Sequence, residues 1–174
     1  MPFLIKPFVA KLQTRLDPES STYEGPTEGD TPPGEPVQGQ LVTQPPPSPP
    51  EKWATVWSEA TALGAAGLIP PNTMIELGKA AQKNVLLGCT SSTPKYAVLK
   101  NSFTTFASII LPGFQPIATA APPPGAPAFE QLDSVGMGST VNKAWLEHCG
   151  NLINSWFLKG TMIYNAGPTP MMWL

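Results

Sequence analysis

The stretch GPTEGDTPPGEPVQGQLVTQPPPSPP, Gly25 to Pro50, divides a chain of 174 residues into a part that can build a core and a part that cannot. Proline fixes φ and carries no amide hydrogen, so a run this dense fits neither a helix interior nor the middle of a sheet. Val37, Leu41 and Val42 are its only aliphatic side chains. That is too little apolar surface to offset the entropy of ordering the segment. Residues 19–50 therefore read as an extended, Pro-rich arm that reaches up to about 3.1 Å per residue in polyproline II form. Such a segment gains a fixed path only along another surface, which points to an interaction protein.

Upstream of the arm, Ile5, Phe8, Val9, Leu12 and Leu16 recur at near-helical spacing, with Lys6, Lys11 and Arg15 mostly on another face. Pro7 suits a first helical turn, and Asp17-Pro18 ends the run. Residues 1–18 are read as a docking segment that latches onto a partner, with Phe3, Phe8 and Leu12 as contacts. The competing reading folds the segment back on its own domain. A basic membrane-surface helix is a third reading, weakened by its three charges.

Downstream, residues 51–174 read as a helical domain. Ser48 and Glu51 make a capping box with Pro49 at the first helical position, so a helix is expected from Pro49 to about Ala66. Its buried face would hold Trp53, Val56, Trp57, Ala60 and Gly64, and the last two are small enough to admit a close neighbour. Thr73 and Glu76 form a second box, opening a helix to about Leu87 with Met74, Leu77, Ala81 and Val85 inward. Ser92-Thr93-Pro94 opens a third to about Leu111, striped by Tyr96, Leu99, Phe103, Phe106 and Ile110. Thr104 and Thr105 leave a β alternative open over Ser102 to Leu111. A fourth helix runs from about Thr140 to Lys159 after an N-cap at Ser139. Its stripe is Val141, Trp145, His148, Cys149, Leu152 and Trp156. The Pro-rich stretch 112–127 reads as an ordered loop packed on the helices or on a neighbour, and Phe129 to Leu132 as one turn.

The tail 161–174, GTMIYNAGPTPMMWL with its preceding Gly160, is unusually apolar for a chain end. It docks either on its own core or on a partner, with Tyr164, Met172 and Trp173 as the contact residues. Trp53, Trp57, Trp145 and Trp156 lie on helical stripes and read as core. Trp173 reads as an interface anchor. The fold class is thus mainly α: a small bundle of about four helices with a long N-terminal arm and an apolar C-terminal tail.

Charged residues are only 13% of the chain and the net charge is −2. A nucleic-acid footprint would need a basic patch, and the ten Lys and Arg are scattered. No apolar run is long enough for a transmembrane helix, and the start does not read as a signal peptide. Catalytic chemistry finds little purchase. His148 is the sole histidine; beside Cys149 on one helix it points about 100° away. Cys89 with His148 would make a nucleophile pair, but no glycine-bounded turn surrounds Cys89. One His and two Cys match no closed zinc site. Gly78-Lys79 lacks the flanking pattern of a phosphate loop. No enzyme activity, cofactor, metal or small-molecule substrate is expected.

The segments EKWATVWSEAT (51–61), GLIPPNT (67–73), NSFTTFASIILPGFQP (101–116) and TAAPPPGAPAF (119–129), followed by the Trp-bearing helix, resemble small structural proteins of tailed-phage virions. Contractile-tail and baseplate components are the nearest type, over about residues 50–174. The resemblance implies a non-enzymatic protein in repeated copies, assembled in the host cytoplasm into the virion, in tail or baseplate rather than capsid. Its partners would be other protein subunits, including identical copies, bound through Phe3, Phe8, Leu12, Val37, Leu41, Pro47, Pro50, Tyr164, Met172 and Trp173. Removing residues 1–50 is then expected to abolish assembly yet leave the helical domain folded. The alternative is an adaptor whose Pro47-Ser48-Pro49-Pro50 string recruits an SH3- or WW-like partner.

Overall fold

The computed structural model describes residues 3–16, 49–88, 95–115, 117–134, 143–165 and 170–173. Val37, Leu41, Pro47, Ser48, Cys89, Ser139 and Val141 lie outside them. The described chain is mainly helical: α1 (Ile5–Leu16), α2 (Pro49–Ala65), α3 (Asn72–Leu87), α4 (Lys95–Ile110) and α5 (Lys143–Phe157). Two 3-10 turns, Leu111–Phe114 and Phe129–Ser134, and three short strands complete it. The helices pack in series, α4 on α3, α3 on α2, α2 on α1 and α1 on α5.

α2 is the central helix, and of its residues 51–65 only Lys52 and Leu63 are exposed. Pro49 and Pro50 occupy its first turn, where amide hydrogens have no intrahelical acceptor, and Glu51 in the same turn favours the positive end of the helix. Ala54, Val56, Trp57, Ala60 and Ala65 are buried. So are the hydroxyls of Ser58 and Thr61, which donate to the carbonyls of Thr55 (3.0 Å) and Trp57 (2.9 Å) of their own helix.

α1 is the chief correction to the sequence reading. Phe3, Phe8, Val9 and Leu12 are buried in the core of their own chain. The Leu4 amide donates to the Gly64 carbonyl at 2.7 Å, and Lys11 pairs with Glu59 at 2.7 Å. The two helices therefore run antiparallel. A Cβ on Gly64 would fall 2.1 Å from the Phe3 ring, so the glycine is what lets that ring seat. Gly150 does the same for Ile5 on the α5 side, where a Cβ would come within 2.8 Å. Periodicity shows that a helix has an apolar face; here α2 and α5 cover it.

α3 is turned by about one residue from its expected orientation. Ile75, Gly78, Gln82 and Leu86 face inward, while Leu77 is 57% exposed. The helix starts at Asn72 after Pro71, with no side-chain cap, so the box at Thr73 is not used. Gly78 sets this register: a Cβ there would lie 2.9 Å from Ile110 and 3.0 Å from Phe106, so only glycine lets α4 come this close. Gln82 follows it inward and donates to the Ser102 hydroxyl at 3.4 Å, and Ser102 in turn donates to the Leu99 carbonyl at 2.8 Å.

α4 is helical throughout, which removes the β alternative. Leu99, Phe103, Phe106 and Ile110 are buried. After it, the Pro-rich run enters a strand that composition did not announce. β1 (Ala118–Ala121), β2 (Thr161–Tyr164) and β3 (Pro170–Met172) form an antiparallel sheet in the order β1-β2-β3. The turn after β1 needs Gly125, whose φ is 66°. The Trp156 indole N–H donates to the Pro124 carbonyl at 3.2 Å and pins the loop to α5.

One connected set of aromatic rings joins these parts. Phe8 meets Trp57, Trp57 meets Phe103, and Phe103 meets Phe129. Phe157 is the hub, in contact with Phe3, Phe106, Trp156 and Trp173.

Candidate interaction surface

Trp173 decides how the tail is used. It is buried, with its ring 4.7 Å from Phe114 and its indole N–H donating to the Thr161 carbonyl at 3.0 Å. Its amide donates to the Gly160 carbonyl at 3.1 Å. The interface-anchor reading of Trp173 is thus overturned: the ring closes the chain's own core. A Cβ on Gly160 would lie 2.7 Å from that ring. Gly160→Ala should cost about 1–3 kcal/mol by overpacking, read as a lower urea midpoint at unchanged slope; an unaltered midpoint would show that the ring has room to move.

Anchored by Trp173, the sheet turns one face out. The register pairs Thr119 with Ile163, Ala121 with Thr161, and Thr161 with Met172. These residues share the outer face, because cross-strand partners point the same way. Ala118 and Met162 are buried on the inner face. Ile117, Ile163, Met171 and Met172 are each about half exposed. The strands read ATAA, TMIY and PMM and carry no charge. Among the described residues β3 ends the sheet on one side, and an edge strand presents unpaired backbone groups to any chain that approaches. Edges are blunted by charge, by proline or by shortness; these strands carry no charge, and β3 relies on its three-residue length and on Pro170, which offers no amide hydrogen.

The residues proposed as partner contacts thus separate. Phe3, Phe8, Leu12 and Trp173 belong to the core, Tyr164 is half-buried, and Met172 is exposed. Pro50 is helical. Ile117 and Ile163 join Met172 as exposed apolar residues, and Met171, cross-strand from the buried Met162, is exposed at the end of the sheet; the sequence reading offered neither Ile117 nor Ile163 as a contact.

Elsewhere the geometry offers little chemistry. Cys149 is buried without a disulfide, and burial pushes its thiol well above its ordinary value, so it stays neutral and unreactive. His148 beside it is half-buried. Among the described residues no cluster of His, Cys, Asp and Glu is arranged to hold a metal, and no helix is long and apolar enough to cross a membrane. An open groove of about 430 Å³ lies between α1, α2 and α3, bordered by Leu63. The Lys11–Glu59 and Lys79–Glu76 pairs on its rim already neutralise each other.

Set beside known protein families, characterised proteins and solved structures, this chain matches none.

Proposed function

We propose that this protein is a non-enzymatic structural component that ties neighbouring subunits together in a large particle, of the virion type its sequence resembles and in a tail or baseplate position. The observation that carries the reading is the uncharged, half-exposed sheet that ends at β3 among the described residues. Such a face in a chain this poor in charge is suited to burial against another protein.

The Pro-rich segment would act with it, in a different way from a free arm. α1 and α2 are antiparallel neighbours, so residues 17–48 leave and re-enter one body. A segment tethered at both ends reaches half as far, roughly 50 Å at about 3.1 Å per residue. Two modest contacts on one rigid body, sheet and tethered segment, would then reinforce each other by effective concentration. The SH3-ligand alternative has a structural cost: Pro49 and Pro50 sit in the first turn of α2, and a groove that takes polyproline II would have to unwind it.

The test is charge placed on the sheet. Met172→Asp and, separately, Ile163→Asp should change stability by no more than about 0.5–1 kcal/mol, because both sites are exposed. Each should weaken incorporation into particles at least about tenfold, because a buried unpaired carboxylate opposes docking. Normal incorporation of both variants would refute the reading.

A further inference from the structure

The outward face of α3 carries a pattern that core packing does not use. Thr73, Leu77, Ala80, Asn84 and Leu87 are all exposed. Their spacing alternates four and three residues, which is the seam of a helix that packs along another helix. Leu77 at 57% exposure is the most exposed large apolar side chain among the described residues. Glu76 and Lys83 flank the seam on one side, seven residues apart.

We propose that this seam pairs antiparallel with α3 of a second copy of the chain across a two-fold axis. The argument is self-complementarity. In an antiparallel pair, alternate seam positions face each other. Setting Leu77 against the second copy's Ala80 also sets Thr73 against its Asn84, and the two-fold axis repeats both layers. Large meets small, and hydroxyl meets amide. The same register brings Glu76 beside the second copy's Lys83 twice, a charge match that a parallel pair would lose. Both groups now sit in exposed ion pairs, with Lys79 and Glu51, that exchange at little cost. Asn84 within the seam would select this register over its slipped alternatives, as polar seam residues do.

The helix is 16 residues long, about 24 Å. That is a small contact, so the pair should be weak in solution and strengthened by repeated copies in an assembly. The pairing deepens the assembly role by supplying a contact between identical copies. Its test uses the purified full chain carrying Met172→Asp, so that the sheet's partner does not enter.

Sedimentation equilibrium should show a concentration-dependent dimer, and Leu77→Glu should make it monomeric with an unchanged circular dichroism spectrum. Glu76→Lys and Lys83→Glu should each weaken the dimer roughly tenfold, since each replaces two attractive contacts by two repulsive ones. The double variant should recover to within about threefold. A chain that stays monomeric to about 1 mM would leave this face to a different partner and overturn the proposal. A dimer indifferent to Leu77→Glu, or a double variant weaker than either single one, would overturn it as well.

Discussion

Deleting residues 1–16 should unfold the domain. Phe3, Phe8, Val9 and Leu12 are all buried, and burying a side chain of this size contributes about 1.5–3 kcal/mol. Together they are worth about 6–12 kcal/mol, against a typical total stability of about 5–15 kcal/mol. The deletion also bares the α2 and α5 surfaces that these rings cover, including Trp57 and Phe157. The sequence alone suggested the reverse, that residues 1–50 could be lost with the helical domain intact. Urea unfolding followed by circular dichroism separates the two: the truncated chain should lack a cooperative transition and native helix content. The matched control replaces residues 19–46 with a Gly/Ser linker of equal length. It keeps α1, Pro49 and Pro50, and should unfold with a cooperative transition. A truncated chain with an unaltered transition would mean that α1 is only a surface attachment.

What could be seen in the sequence follows from the range of the signal. The α4 stripe was visible because five large apolar residues recur at helical spacing, and the same five positions face inward. For α1 the spacing was equally clear, yet it could not say whose surface covers the face; Phe3 on Gly64 is a contact between residues 61 positions apart. Trp173 failed for the same reason, since its seat is made by Phe114, Phe157 and Gly160. In α3 the inward residues Gly78 and Gln82 carry no apolar signal, while the outward Leu77 does. The orientation is set by the close approach of α4 and by the Gln82–Ser102 hydrogen bond, neither of which is local. The strands were missed because three or four residues of Ala, Thr or Met are too few for period-two alternation to stand out. The β1–β2 pairing joins residues 40–46 positions apart. The sheet face, the part of the candidate surface with most to offer a partner, was therefore the part least legible.

Phe157→Ala should be among the most damaging single substitutions. Its ring stacks on Phe3 at 5.5 Å and 18°, meets Phe106 edge-on at 6.3 Å and 77°, and touches Trp156 at 4.9 Å and Trp173 at 6.4 Å. It thereby joins the residues before α1, α4, α5 and the end of the chain at one point. Truncating a buried Phe costs about 3–5 kcal/mol when the neighbours only partly collapse into the space. Collapse should be poor here, because its neighbours come from four separate segments that cannot all move inward together. Each aromatic pair adds about 0.5–1.5 kcal/mol beyond area, so the cost should lie at the upper end, with Tm lower by roughly 10–25 °C. Phe157→Leu keeps most of the volume and should cost less than half as much. A double-mutant cycle with Trp173→Ala should show coupling of about 0.5–3 kcal/mol, because the two rings are in direct contact. If Phe157→Ala loses less than about 1 kcal/mol, or the cycle is additive, the rings are separate contacts and the tail is docked on the domain without being part of its core.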